Sequence, residues 1–146
     1  MVISKPGAHP KYLLDIEPHL FAHRTGNAAG PGVRGTLILV DNGFVPTINN
    51  SVGIGVGLDY LTYSGGGTLA IPVVMQWNFW LSNKWSVFGE PGVWIFPGGS
   101  GVKGNKGDNL DLISVAVGGR YLFKDTLSLE MRAGNQGISV GVGFLF

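Results

Sequence analysis

The last eight residues constrain the fold of this chain more than any other stretch. Ser139-Val140-Gly141-Val142-Gly143-Phe144-Leu145-Phe146 alternates strictly, with Val140, Val142, Phe144 and Phe146 on one side of a strand. Ser139, Gly141, Gly143 and Leu145 fall on the other. Successive strand side chains point to opposite faces, so this segment has one bulky apolar face and one nearly bare face. In water, a frayed apolar end gains little. A strand whose outer face meets hydrocarbon, with its end at headgroup level, gains from an aromatic ring placed at that boundary.

The same alternation recurs along the chain. No helical period persists, and turn residues separate short segments rich in Gly and β-branched residues, which predicts an all-β fold. Eight segments emerge: 11–24, 33–41, 52–63, 68–81, 85–96, 110–123, 126–135 and 138–146. Each reaches the roughly 9–11 residues of a tilted membrane strand. In 52–63, Val52, Ile54, Val56, Leu58 and Tyr60 alternate with Gly53, Gly55, Gly57, Asp59 and Leu61. Segment 33–41 is apolar on both faces from Leu37 to Val40. No apolar run approaches the roughly 18 residues of a membrane helix. Connections 82–84 and 124–125 are short, whereas 97–109, with Lys103, Lys106 and Asp108, is long and polar, and 25–32 is rich in Gly. Connection 41–50 breaks this regular alternation of long and short. The expectation is a single domain over 1–146, an eight-stranded antiparallel up-and-down transmembrane β-barrel, with 1–10 as a flexible N-terminal segment.

Alternation alone does not say which face looks inward. Charged residues make up 13% of the chain, about half the roughly 25% of a typical soluble domain. In a soluble, lipocalin-like barrel the apolar set would face inward, and the alternates would be Thr, Lys, Glu and Arg. Here many alternates are Gly, which suits the crowded interior of a narrow barrel and would leave a wet surface bare. The apolar set is therefore expected to face lipid. Glu17, His19, Asp59, Glu90, Arg120, Glu130 and Arg132 then fall inside, as a polar network in the lumen. On the lipid face each charge would cost roughly 2–4 kcal/mol near the midplane; inside, Arg and Glu can form charge-assisted hydrogen bonds. Acids outnumber arginines in that set, so His19, His23, water or one protonated carboxyl must complete it. Phe88 and Trp94 also point inward and obstruct the passage. Tyr12, Phe79, Trp85, Phe123, Phe144 and Phe146 are expected to form a girdle at one interface, with Tyr60, Tyr63, Phe96 and Phe21 toward the other rim.

The pattern Ser139, Gly141, Phe144 and Phe146 resembles the C-terminal signal of bacterial outer-membrane β-barrels, and the chain resembles the small eight-stranded members over its whole length. The resemblance implies a Gram-negative outer membrane and partners of three kinds: membrane lipid, lipopolysaccharide, and the assembly machinery that reads the C-terminal strand. It also implies a monomer. No signal peptide opens the chain, which is expected to be a mature sequence with Met1 as initiator. A net charge of +1 offers no surface for nucleic acid, and the chain has no cysteine for a thiolate metal site or a nucleophile.

No cofactor, metal or catalytic site is expected. Some small outer-membrane barrels modify lipid A, but the deacylase run His-x-Ser-Asn is missing. His19 and His23 would sit about 13 Å apart along a strand, too far for one ion. Gly53-Ile54-Gly55-Val56-Gly57 lacks the spacing and the following helix of a dinucleotide fingerprint. Lys103 and Lys106 solvate a loop or contact lipopolysaccharide phosphate. The expected function is a non-enzymatic scaffold with a mostly closed polar lumen. A narrow porin-like channel, a lipid A-modifying enzyme and a soluble lipocalin-like binder are the alternatives.

Overall fold

Strands with one apolar face satisfy every backbone group without an exposed edge only by closing into a barrel. The computed structural model describes residues 2–24, 28–97 and 110–146. Its strands are β1 (Leu14–His23), β2 (Ala29–Val40), β3 (Asn50–Tyr63), β4 (Gly66–Trp80), β5 (Trp85–Ile95), β6 (Leu110–Lys124), β7 (Leu127–Gly134) and β8 (Gly137–Leu145). Each pairs antiparallel with the next and β8 returns to β1, so the expected closed eight-stranded up-and-down barrel is present. The final residue takes part in the seam. The Phe146 N–H donates to the Leu14 carbonyl at 2.8 Å, and the Leu13 N–H donates to the Phe146 carbonyl at 2.7 Å.

Both termini and the β2–β3, β4–β5 and β6–β7 connections share one end, here the base; the other connections share the top. The loop carrying Lys103 and Lys106 lies outside the described residues. β2 starts at Ala29 rather than at 33 because β1 holds Gly30 and Gly32 in register, opposite Phe21 and His19. Tertiary pairing overrides the loop-like composition of that stretch.

Four prolines stand within strands: Pro18, Pro31, Pro72 and Pro91. A proline has no N–H to donate to a ladder. Each coincides with a two-step gap in the pairing with one neighbour. β1–β8 pairing passes from Ile16↔Phe144 to His19↔Gly141, and β2–β3 pairing passes from Ala29↔Thr62 to Gly32↔Asp59. β3–β4 pairing passes from Val56↔Val73 to Asp59↔Ala70, and β4–β5 pairing from Val74↔Gly92 to Trp77↔Gly89. Closure is kept because the other neighbour of each strand remains paired at those positions.

The two faces are opposite in character to those of a soluble barrel. Leu20, Leu39, Val117 and Ile138 are exposed outside, whereas Asp59, Glu90 and Arg120 are fully enclosed. Val52 shares the outward side of β3 with Ile54 and Val56 but is covered, being only 4% exposed. The β2–β3 connection folds back over this part of the belt, and its Phe44 ring meets Trp77, the cross-strand partner of Val52.

Residues 2–10, read from the sequence as a flexible segment, make backbone and side-chain contacts with the base. The Val2 N–H donates to the Leu81 carbonyl at 3.0 Å, and the Asn49 N–H donates to the Ile3 carbonyl at 2.7 Å. The His9 ring stacks on Trp80 at 5.7 Å, lies 2.5 Å from Asn49 Oδ1, and donates from Nε2 to Asp41 Oδ1 at 3.0 Å. Lys11 Nζ reaches the other Asp41 oxygen at 2.5 Å. The 41–50 connection is therefore long because it receives the N-terminal segment. Asn50 shapes it, donating from Nδ2 to the Val45 and Ile48 carbonyls at 2.7 and 2.8 Å. Partial burial raises the Asp41 pKa, but the Lys11 and His9 hydrogen bonds outweigh it and hold the carboxyl below its ordinary value.

Candidate functional site

The enclosed polar interior is the chemically distinctive part of the molecule. Alternation delivers its members: Asp15, Glu17 and His19 from β1, Arg34 from β2, Asp59 from β3 and Gln76 from β4 face inward. Glu90 from β5, Arg120 from β6, and Glu130 and Arg132 from β7 join them. Space for these side chains comes largely from β8. A Cβ added at Gly143 would lie 2.4 Å from Ser128 Oγ and 2.5 Å from Glu130 Oε1. One added at Gly141 would lie 2.7 Å from His19 Cβ and 2.9 Å from Glu17 Cγ. The bare face of the last strand thus accommodates acids from β1 and β7. Its other face places Phe144 and Phe146 outside, where Phe146 is 69% exposed.

Arg120 anchors the lower part of the network. Its Nε donates to Glu130 Oε1 at 2.7 Å, Nη2 to Asp15 Oδ2 at 2.7 Å, and Nη1 to the Tyr12 hydroxyl at 2.6 Å. Arg132 anchors the middle. Its Nε donates to Glu90 Oε1 at 2.7 Å and its Nη1 to Glu17 Oε1 at 2.6 Å. Glu90 also accepts from Arg34 Nη1 at 3.0 Å and from Gln76 Nε2 at 3.1 Å. The guanidinium carbons of Arg120 and Arg132 both approach the Phe88 ring, at 5.7 and 5.3 Å from its centroid. Nearer the top, His19 bonds Asp59 through Nε2, while its Nδ1 sits 3.2 Å from Glu17 Oε1. Nδ1 also lies 3.3 Å from the Glu17 backbone carbonyl, so both ring nitrogens face acceptor oxygens, which leaves the imidazole no nitrogen to activate a hydroxyl nucleophile.

Apolar clusters lie at both ends of this network. Trp80, Leu122 and Leu145 pack below it, with Val2 and Tyr12 against them. Phe21, Leu61, Ala70, Trp94 and Phe96 pack above it with Ala28. A void of about 20 Å³ beside Arg34, Glu90, Ser114 and Arg132 is large enough for one water molecule.

Glu17, His19, Asp59, Glu90, Arg120, Glu130 and Arg132 therefore lie in one connected set of ion pairs and hydrogen bonds. Sequence reasoning missed Arg34 and Gln76 as members and did not place Asp15 in the network. The signal for Arg34 lay within segment 33–41, where Arg34 and Thr36 alternate with Val33, Gly35 and Leu37. Tyr12 was expected in the outer girdle, but its hydroxyl turns to Arg120. The chain is not yet in β1 at residue 12, so strand alternation does not govern it. Phe21 and Phe96 belong to the upper cluster inside rather than to an outer rim. Trp85, Phe123, Phe144 and Phe146 are exposed on the outside near the base.

No protein-family model and no curated protein sequence matches this chain. Among solved structures, it is similar to a de novo designed transmembrane β-barrel, at 15% identity and a TM-score of 0.62, covering 99% of each chain. It is also similar to the outer membrane protein Ail of Yersinia pestis in a phospholipid bilayer nanodisc. That match has 11% identity and a TM-score of 0.58, over 93% of this chain and 100% of Ail. At such identities the likeness is one of fold, and the shared fold is that of barrels that span membranes.

Proposed function

We propose that this chain is a Gram-negative outer-membrane β-barrel with a non-enzymatic, structural role and a closed interior. One observation carries the reading: an ion-pair network has apolar clusters above and below it and an apolar belt around it. An apolar exterior of this extent is a liability in water and an advantage in lipid. The likeness to Ail, an outer-membrane protein, supports the location. The barrel acts as a monomer, with membrane lipid and lipopolysaccharide around it. The assembly machinery reads its last strand through Ser139, Gly141, Phe144 and Phe146. The occupied ring nitrogens of His19 favour a structural role over a hydrolytic one. Conduction would need a wet path past Phe88, with Arg120 and Arg132 against it, and past both apolar clusters.

Two measurements test this. Folded protein in detergent should migrate differently on a gel before and after boiling, as closed membrane barrels do. In planar bilayers it should show no discrete conductance steps over many insertions. Regular steps would replace the closed scaffold by a channel, and migration unchanged by boiling would remove the membrane barrel.

A further inference from the structure

At the base of the outer face, the start of β1, the end of β2 and the end of the chain surround a hollow of about 500 Å³. The volume falls within the roughly 300–1,000 Å³ of small-molecule pockets. Backbone bonds fix its frame. The Leu13 N–H donates to the Phe146 carbonyl at 2.7 Å, and the Ile38 N–H donates to the Leu13 carbonyl at 2.8 Å. Leu13, Leu39 and Phe146 line the hollow and are largely exposed. Lys11 and Asp41 belong to the same lining. They lie just past the ends of β1 and β2, at the margin of the belt. Lys11 Nζ donates to Asp41 Oδ2 at 2.5 Å, and both side chains are more than half exposed. Neither is exhausted by the other, since an ammonium carries three N–H donors and a carboxylate about four acceptor sites.

The hollow thus joins hydrocarbon walls to a cation and an anion side by side. As a pair the two charges are neutral, so a headgroup of net negative charge gains little there. A headgroup that itself carries both signs meets a partner for each. We propose that this hollow binds one phosphatidylethanolamine, its phosphate on Lys11, its primary ammonium on Asp41, and one acyl chain along Leu13, Leu39 and Phe146. The inference rests on the membrane reading above. A choline headgroup has the same charges but no N–H to donate to Asp41, and a glycerol headgroup sets a phosphate against Asp41 with no cation of its own. Position agrees with this occupant, because the base is the end away from the 97–109 connection, which is expected to meet lipopolysaccharide. Two other outer hollows supply a contrast. One lies over Ala22, Ala29 and Ile138, the other over Phe79, Gly89 and Val117, and neither has a charged residue in its lining. Lipid there is held by shape alone.

The test is native mass spectrometry of the full barrel released from nanodiscs holding equal parts of phosphatidylethanolamine, phosphatidylcholine and phosphatidylglycerol. The wild type should retain one phosphatidylethanolamine about fivefold in preference to either competitor, the scale of one charged contact at a membrane surface. Asp41→Asn leaves Lys11 without its anion and should raise phosphatidylglycerol to at least the level of phosphatidylethanolamine. Lys11→Gln should lower the retained phosphatidylethanolamine about fivefold. His9→Gln removes an imidazole that holds the N-terminal segment but takes no charge from the hollow, and should keep the preference. Equal retention of the three lipids by the wild type overturns the site. So does a preference for phosphatidylglycerol, or one that survives both charge changes. A preference lost equally in His9→Gln assigns the effect to the docked segment and also overturns it. Boiling-dependent gel migration of the same samples separates the premises. A normal shift with no preference strikes only the lipid site, and a missing shift strikes the membrane barrel itself.

Discussion

At the residue scale, the guanidinium groups are the costliest members to lose. Arg120 is fully enclosed and serves Glu130, Asp15 and Tyr12 at once. Arg120→Ala takes the guanidinium from Asp15 and Glu130, and Arg132→Ala takes it from Glu17 and Glu90; each strips two buried carboxylates of their main cation and should destabilise the barrel by about 3–5 kcal/mol, measured by denaturant unfolding in lipid. Arg34→Ala should cost less, because Glu90 keeps Arg132 and Gln76. Equal losses for all three would mean that the network does not share load as drawn. The glycines give a second contrast. A Cβ at Gly118 would fall 2.4 Å from two atoms of the Phe88 ring, while one at Gly89 meets nothing within 4 Å. Gly118→Ala should therefore destabilise clearly. Gly89→Ala should be neutral or gain up to about 1 kcal/mol from the smaller backbone entropy loss. Period-two alternation made the inward position of Gly118 legible in the sequence, but the contact of Phe88 with two arginines was not. That contact joins β5, β6 and β7, and a strand pattern carries no information about which inward side chains meet across the lumen.

At the element scale, the strands themselves were largely legible and the base was not. Alternation locates β3, β5 and β8 within two residues because one periodic face must stay apolar. It fails for residues 2–12 and 41–50, whose contacts follow no period: His9 stacks on Trp80, and Asp41 gathers both Lys11 and His9. Pro18, Pro72 and Pro91 fall within the segments read from the sequence although proline marks a strand as doubtful, and each strand proline costs one local gap in a ladder. The docked segment makes its own prediction. Asp41 has a folded pKa below its ordinary value. Its contribution is therefore fully present above the unfolded carboxylate pKa of about 3.9, and is lost as pH falls through the lower folded value. Proteolytic nicking within residues 2–10 should be slow at pH 7 and equally slow at pH 5. Hydrogen exchange at the Asn49 amide, which bonds the Ile3 carbonyl, should lose protection only below about pH 4. Asp41→Asn should accelerate nicking at pH 7 while leaving the barrel folded. Unchanged cleavage in that variant would show that the backbone bonds and Val2 packing hold the segment without the ion pairs.

At the scale of the whole molecule, sidedness decides every other assignment. The same alternation builds a lipocalin-like barrel when the apolar set faces inward. What separates the two is the small size of the alternates and the scarcity of charge, and the sequence shows both. The apolar clusters at the two ends of the lumen were less visible. Phe21 and Phe96 lie inside, in the upper cluster, and their place follows from the count of strand steps rather than from their chemistry. The apolar belt can be tested directly with single nitroxide labels in bilayers at Val56, Val117 and Val140, which are exposed on three separate strands. Each should collide readily with oxygen, which partitions into hydrocarbon, and weakly with a water-soluble nickel chelate. A label at Lys84, in the β4–β5 connection at the base, should show the reverse. If the three belt sites met the chelate as freely as Lys84 does, the outer face would be wet. Its exposed leucines and valines would then need a protein partner to cover them, and the enclosed arginines would belong to a soluble barrel with an unusually polar core.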